Sequence, residues 1–348
     1  MNMNGRDTGT ATADPETDQF QILSHDELMD ADIAQPNELV EGLIDEATGN
    51  TLAGPPGVGK TWTELDLLRS IAAGVDWLGK FPTAQGTALI FDEESHLPGV
   101  QSRVKMLERG NPLGKGLPLY FAVGHGLRLD TQIGASHLEA QIRRYRPAIV
   151  ALDSFTRIHG VDENNAGDLA SVHAVMKALM RTYGTAFLST DHVRKKSLLN
   201  DPEEMLRGST EKRAWPDCIL FAAPGENGTI QMSHVKARWH DKIPDFSLSI
   251  DVDKEAGTAT VSYVGLAANN TVTKANEIIS AIHDLKRQLG EDGADAVRVA
   301  AWLECHPDTV RRHATKLIAA GILATRKVAP SEKGGKPKDV YDVIGGRD

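Results

Sequence analysis

The sequence predicts an α/β fold: a mostly parallel central sheet covered by helices on both faces, then a small C-terminal helix-turn-helix domain closed by a hairpin. Three observations predict it. Gly54-Pro55-Pro56-Gly57-Val58-Gly59-Lys60-Thr61 spells G-x-x-x-x-G-K-T between a short extended run and a helical pattern. From Gly49 to about Tyr263, short apolar runs alternate with helical stretches, the pattern of strand-helix-strand units. Beyond residues 264–271, which carry Gly265, Asn269 and Asn270, the charge balance turns from acidic to basic.

In chain order, residues 1–20 are polar and acidic and read as a disordered tail. Phe20 to Glu46 reads as a lead-in with short helical pieces, as around Glu27–Ala31. The main domain is set at 21–263. Its strands are expected at Asn50–Ala53, Thr87–Phe91, Leu119–Val123, Ala148–Leu152, Ala186–Thr190 and Cys218–Ala222. Helical periodicity covers Leu97–Glu108, Ser136–Tyr145 and Gly167–Tyr183, and Leu65, Leu68, Ile71 and Ala72 mark one more helix. Thr229–Arg238, Phe246–Val252 and Thr258–Tyr263 lack helices between them and read as antiparallel strands finishing the sheet. Residues 264–271 read as a linker and 272–348 as a second domain.

Composition excludes several classes. The 348 residues suffice for two domains, and 41% hydrophobic content for a buried core. No apolar run nears the ~20 residues of a membrane span, and no secretion signal opens the chain, so a cytoplasmic protein without a membrane partner is expected. Cys218 and Cys305 lack metal-ligand spacing and are expected buried and inert. The net charge is -10, yet residues 1–50 hold twelve of the acids against Arg6 alone. From His306 to Lys338, eight lysines and arginines face only Asp308 and Glu332. Such a patch binds phosphates even on an acidic chain, because screening confines fields to about 10 Å.

The glycine motif carries the chemistry. Gly54, Gly57 and Gly59 are expected to turn with positive φ, so that backbone amides of Gly54–Thr61 cradle a triphosphate. Lys60 then neutralises the β- and γ-phosphates and Thr61 holds Mg²⁺, with ATP as the implied nucleotide. Asp153 ends a buried apolar run and is placed to hold the same ion. The run Thr87–Phe91 ends in Asp92-Glu93-Glu94, where a carboxylate can orient and deprotonate the attacking water.

Residues from about 35 to 250 resemble the RecA-like ATPases related to the hexameric plasmid replication helicase RepA, and more distantly the DnaB-type helicases. The carrying stretches are GPPGVGKT at Gly54–Thr61, IFDEES at Ile90–Ser95 with Arg103, LDSFTRIHGVDENN at Leu152–Asn165, LSTDHVRK at Leu188–Lys195, RGST at Arg207–Thr210, and Lys236-Ala237-Arg238. The resemblance implies a RecA-like P-loop core that hydrolyses ATP as a homo-oligomeric ring. It implies Glu94 as the catalytic base, with Glu93 its rival. It implies Arg238 as an arginine finger reaching a neighbour's site, with Lys236 its helper and Arg207 the alternative. His192 takes the position of the family's γ-phosphate sensor. The basic stretch with Arg194, Lys195, Lys196, Arg207, Lys212 and Arg213 falls where relatives line a pore for single-stranded DNA, with Trp215 its one aromatic.

In the second domain, Asp295–Leu303 reads as a short helix, Glu304–His306 as a turn, and Pro307 as the first residue of another helix. Val310, Ala314, Leu317 and Ile318 form its buried stripe, with Gly321 as its stop. Thr309, Arg311, Arg312, Thr315 and Lys316 form the open face of a candidate recognition helix. Ile322–Val328 and Asp339–Ile344 pair as a hairpin whose tip holds Lys333 and Lys336. This arrangement resembles the winged-helix family, which implies duplex DNA as a partner. The expectation is a DNA motor acting in replication, recombination or repair of a mobile element. A nucleotide-gated DNA-binding regulator or loader is the alternative, and a small-molecule kinase the weakest reading.

Overall fold

The computed structural model describes residues 22–192, 210–267, 270–290, 294–303, 305–319, 322–328 and 337–344. Two compact units divide the chain at Pro36. The first carries helix α1 (His25–Asp30), where Ser24 and Glu27 form a capping box.

The second unit opens with an antiparallel ribbon, β1 (Glu38–Val40) and β2 (Ile44–Asp45). Then follow β3 (Gly49–Gly54), α2 (Lys60–Ala73), β4 (Ala88–Asp92), α3 (Leu97–Gly110), β5 (Leu119–Val123), α4 (Gln132–Tyr145), β6 (Ile149–Asp153), α5 (Ala166–Tyr183) and β7 (Ala186–His192). Next come α6 (Thr210–Ala214), β8 (Cys218–Pro224), β9 (Ile230–Ala237), β10 (Phe246–Asp253) and β11 (Thr258–Leu266). The last part is α7 (Asn270–Leu289), α8 (Ala296–Trp302), α9 (Pro307–Ala319), β12 (Leu323–Val328) and β13 (Lys338–Val343).

The central sheet runs β11-β10-β9-β8-β3-β7-β6-β4-β5. The six strands from β8 to β5 are parallel, and β9, β10 and β11 add antiparallel strands on one side. Alternate residues face opposite layers. Ala88, Ile90, Ile149 and Ala151 join one core with Leu65, Leu68 and Ile71 of α2. Leu89, Phe91, Val150 and Leu152 join the other with Leu138 and Ile142 of α4 and Leu169, Val172 and Met176 of α5. Each leucine, isoleucine, valine, phenylalanine or methionine among them contributes roughly 1.5–3 kcal/mol on burial. Both faces are therefore covered, as the near-continuous apolar strands require.

Helix ends follow local chemistry. Gly74 (φ 68°) and Gly184 (φ 69°) close α2 and α5 in the left-handed conformation. Asn165 caps α5 through the amides of Gly167 and Asp168. No described helix is long and apolar enough to cross a membrane.

Several expectations change. The ribbon β1–β2 and the 20-residue α7 were not anticipated. Strand β11 continues through Leu266 and α7 begins at Asn270, so most of the expected linker at 264–271 lies inside regular structure. Residues from Ile278 to Tyr341 form a hydrophobic core of their own. In α9, Val310, Ala314 and Leu317 are buried, but Ile318 is 37% exposed and Thr309 only 2%. The two swap their expected sides, because both stand at the margins of the apolar stripe. Cys218 is buried, whereas Cys305 is half-buried. The tail 1–20, the stop Gly321 and the hairpin tip with Lys333 and Lys336 lie outside the described residues.

Candidate active site

Parallel strands deliver their last residues to one edge of the sheet, and the ends of β3, β4, β6 and β7 meet there. The loop Gly54–Thr61 joins β3 to α2. Gly57 (φ 78°) and Gly59 (φ 105°) take the left-handed conformation. A Cβ on Gly59 would also strike Ile250 Cδ1 at 2.5 Å. Gly54 departs from expectation: its φ is not positive. Its need for glycine is steric, since a Cβ there would lie 2.5 Å from the Ala222 carbonyl oxygen.

Lys60 is 6% exposed and its ammonium turns back over the loop. Nζ donates to the carbonyls of Gly54 (2.8 Å) and Pro55 (3.2 Å) and lies 3.1 Å from His192 Nδ1. Burial lowers its pKa, while Asp153, Glu94, Asp191 and Glu64 oppose that. Thr61 Oγ1 donates to Asp153 Oδ2 at 3.0 Å, and Thr190 Oγ1 donates to Oδ1 at 2.5 Å. Burial raises the Asp153 carboxyl above its usual range, and Asp92 and Glu94 add to the shift.

The adjacent glutamates part company. Glu93 accepts from the amides of Gly126 (2.8 Å) and Leu127 (3.0 Å), so it fastens the loop after β5. Glu94 Oε2 lies 3.2 Å from His192 Nε2. An ammonium has only donors, so His192 Nδ1 accepts from Lys60 and Nε2–H donates to Glu94. Partial burial pushes the Glu94 carboxyl up, but His192, Ser154 and Arg157 outweigh it and hold it below its ordinary value. Asp92 Oδ1 accepts from the amides of Glu94 and Ser95 and shapes this turn. Arg103 donates to Ser95 Oγ at 3.1 Å.

The edge thus gathers the carboxylates of Asp92, Asp153, Glu94 and Glu64 around one lysine. Buried Glu64, one turn after Lys60, has its carboxyl raised well above the usual value by burial and by Asp153 and Asp92, and its Oε1 has no hydrogen-bond partner among the described residues. This surplus of negative charge suits a divalent cation at Thr61 and Asp153, and the glycine turn suits phosphate. Sequence reasoning missed Glu64 and Thr190. The helical step from Lys60 pointed to the first; no motif pointed to the second.

Other expected residues lie elsewhere. Lys236 Nζ donates to the carbonyls of Arg213 and Ala214, both at 2.8 Å. Arg238 binds Asp217 Oδ1 (2.6 Å) and the Ala214 carbonyl (3.0 Å). Both sit where Ala237 faces Cys218 and Cys218 faces Asn50, at the edge of the sheet opposite Gly54. Trp215 is 3% exposed and stacked on His173 at 4.7 Å, so it is no platform for a base. Lys212 is likewise internal, paired with Glu163 (2.9 Å) and Asp191 (3.1 Å). Arg311 is exposed on α9 and bonds Asp308, and Arg312 is half-buried. The Lys316 side chain lies outside the described residues, as do Arg194, Lys195, Lys196 and Arg207.

A glycine loop between strand and helix, with lysine, threonine and a strand-end aspartate converging on it, defines a P-loop nucleotide-binding α/β protein. The chain belongs to the AAA domain family AAA_25, whose model matches residues 15–197. No curated protein matches it. Among solved structures it is similar to a DnaB-like replicative helicase, at 14% identity and a TM-score of 0.45. That alignment covers 62% of this chain and 57% of the helicase.

Proposed function

We propose that this protein is an ATP-hydrolysing, DNA-binding RecA-like motor of the RepA type, active as a homo-oligomeric ring, a hexamer by the resemblance. The observation that carries the proposal is the chain Lys60–His192–Glu94 beside the pair Thr61–Asp153, all on one sheet edge. Gly54–Thr61 would hold the phosphates of ATP, and Thr61 with Asp153 would hold Mg²⁺, which supplies charge neutralisation at the transferring phosphoryl. Glu94, kept ionised, orients the attacking water and takes its proton. Lys60 exchanges its loop carbonyls and His192 for phosphate oxygens, and His192 thereby senses whether phosphate is there. Arg238 completes the site of a neighbouring copy, with Lys236 as helper.

The DNA reading rests on the second domain. The pair α8–α9 followed by the hairpin β12–β13 has the element order of a winged helix. Arg311, Arg312 and Lys316 would face duplex DNA, with Lys333 and Lys336 at the wing tip. Arg194, Lys195, Lys196 and Arg207 would line the single-strand path. Work on a mobile element in the cytoplasm accords with the RepA resemblance. The test is steady-state ATP hydrolysis with and without single-stranded DNA. We expect stimulation of at least severalfold. A rate indifferent to DNA overturns the motor in favour of a nucleotide-gated DNA binder.

A further inference from the structure

We infer that Glu38, Asp45 and His240 bind one divalent transition-metal ion, at a site separate from the nucleotide loop. The ribbon β1–β2 sets Glu38 directly opposite Asp45. Like charges in that register repel each other. Yet both are held in place. Asp45 is 7% exposed, and Glu38 Oε2 is fixed by the Gly42 amide at 2.7 Å. Among the described residues, neither carboxylate is paired with a lysine or arginine. What approaches instead is an imidazole from far along the chain: His240 Nε2 lies 2.9 Å from both oxygens of Asp45.

One donor atom from each of the three residues lies within 4.8 Å of the other two. An imidazole with two carboxylates suits zinc, cobalt or manganese better than magnesium or calcium, which favour oxygen alone. The spacing fits as well. With metal–ligand bonds of about 2.1 Å, two ligands at the tetrahedral angle stand about 3.4 Å apart, inside the 4.8 Å that holds these donor atoms. Glu38 is exposed, so water would complete the coordination. The ion would staple the ribbon to the loop that carries Arg238 and Trp239, the latter 67% exposed. The site stands on its own geometry and does not depend on the motor reading.

The test uses the full chain, stripped of metal and free of nucleotide and Mg²⁺, titrated with Zn²⁺ by calorimetry. We expect one zinc site that disappears in His240→Ala, weakens at least tenfold in Glu38→Gln, and survives in His240→Cys, since thiolate also ligates zinc. Zinc should raise the melting temperature of the wild type and of His240→Cys, but not of His240→Ala. Should His240→Ala fail to fold, the exposed Glu38→Gln decides. Titrations of wild type and Glu38→Gln that superimpose would overturn the site, leaving a plain hydrogen bond from His240 to Asp45.

Discussion

Glu93 and Glu94 are one residue apart and have opposite surroundings. The Glu93 carboxylate is committed to two backbone amides, and Glu94 faces His192 at the mouth of the glycine loop. A group saturated by structural hydrogen bonds is a poor proton acceptor, so the roles divide. Glu94→Gln should lower hydrolysis by about 10²-fold or more while nucleotide affinity stays unchanged. Glu93→Gln should cost about 1 kcal/mol of stability and change the rate only a few-fold. Rates and binding curves of the two variants check this. If Glu93→Gln abolished turnover and Glu94→Gln did not, the base would move to Glu93.

At the scale of elements, the end of β6 is tied to α5 and α6 by a ring stack. Phe155, just past Asp153, stacks on His173 of α5 at 5.1 Å, and His173 stacks on Trp215 at 4.7 Å. His173 Nδ1 bonds Glu211 of α6 at 3.1 Å. Burial, then Lys177, His159 and Lys212, push the His173 pKa down to about 3. The unfolded chain, with a histidine near 6.5, binds more protons between those values. Its contribution to stability is therefore full above pH 6.5 and is lost as pH falls toward 3. Asp66 opposes this: burial raises its carboxyl to about 6, so its contribution is present below the ordinary aspartate value and fades as pH rises through 6. His173→Phe keeps a ring in the stack and removes the titration. Its melting temperature should fall less than that of the wild type between pH 7.5 and 5.5. Parallel curves would remove His173 from the acid response. None of this stack was legible in the sequence, because Phe155, His173 and Trp215 carry no periodic signal and meet only when distant elements pack. The strands were legible, because a buried parallel strand must be apolar and must end in polar residues at the site edge: Asp92 and Asp153 stand out for that reason. The ribbon β1–β2 was not, since five strand residues give too short a pattern.

For the molecule as a whole, the decisive fact is that Lys60 and Arg238 lie at opposite edges of the sheet. Lys60 is at the Gly54 end of β3, and Ala237, the neighbour of Arg238, is level with Asn50, at the other end. Four residues of strand separate those levels, about 13 Å at 3.3 Å per residue. Arg238 therefore does not serve its own loop, and within its own chain it is satisfied by Asp217 and Ala214. An arginine so placed contributes to phosphoryl transfer only if another copy presents its loop to it, and such a finger is worth roughly 10³–10⁵ in rate. Arg238→Ala alone and Glu94→Gln alone should both be nearly inactive. Mixed, they should recover part of the wild-type rate, because some junctions then join an intact Glu94 to a neighbour's intact Arg238. Recovery should rise and then fall with the mixing ratio, peaking near equal amounts. A mixture no faster than its components, from subunits shown by light scattering to co-assemble, would mean that Arg238 only braces α6 and that the finger lies elsewhere.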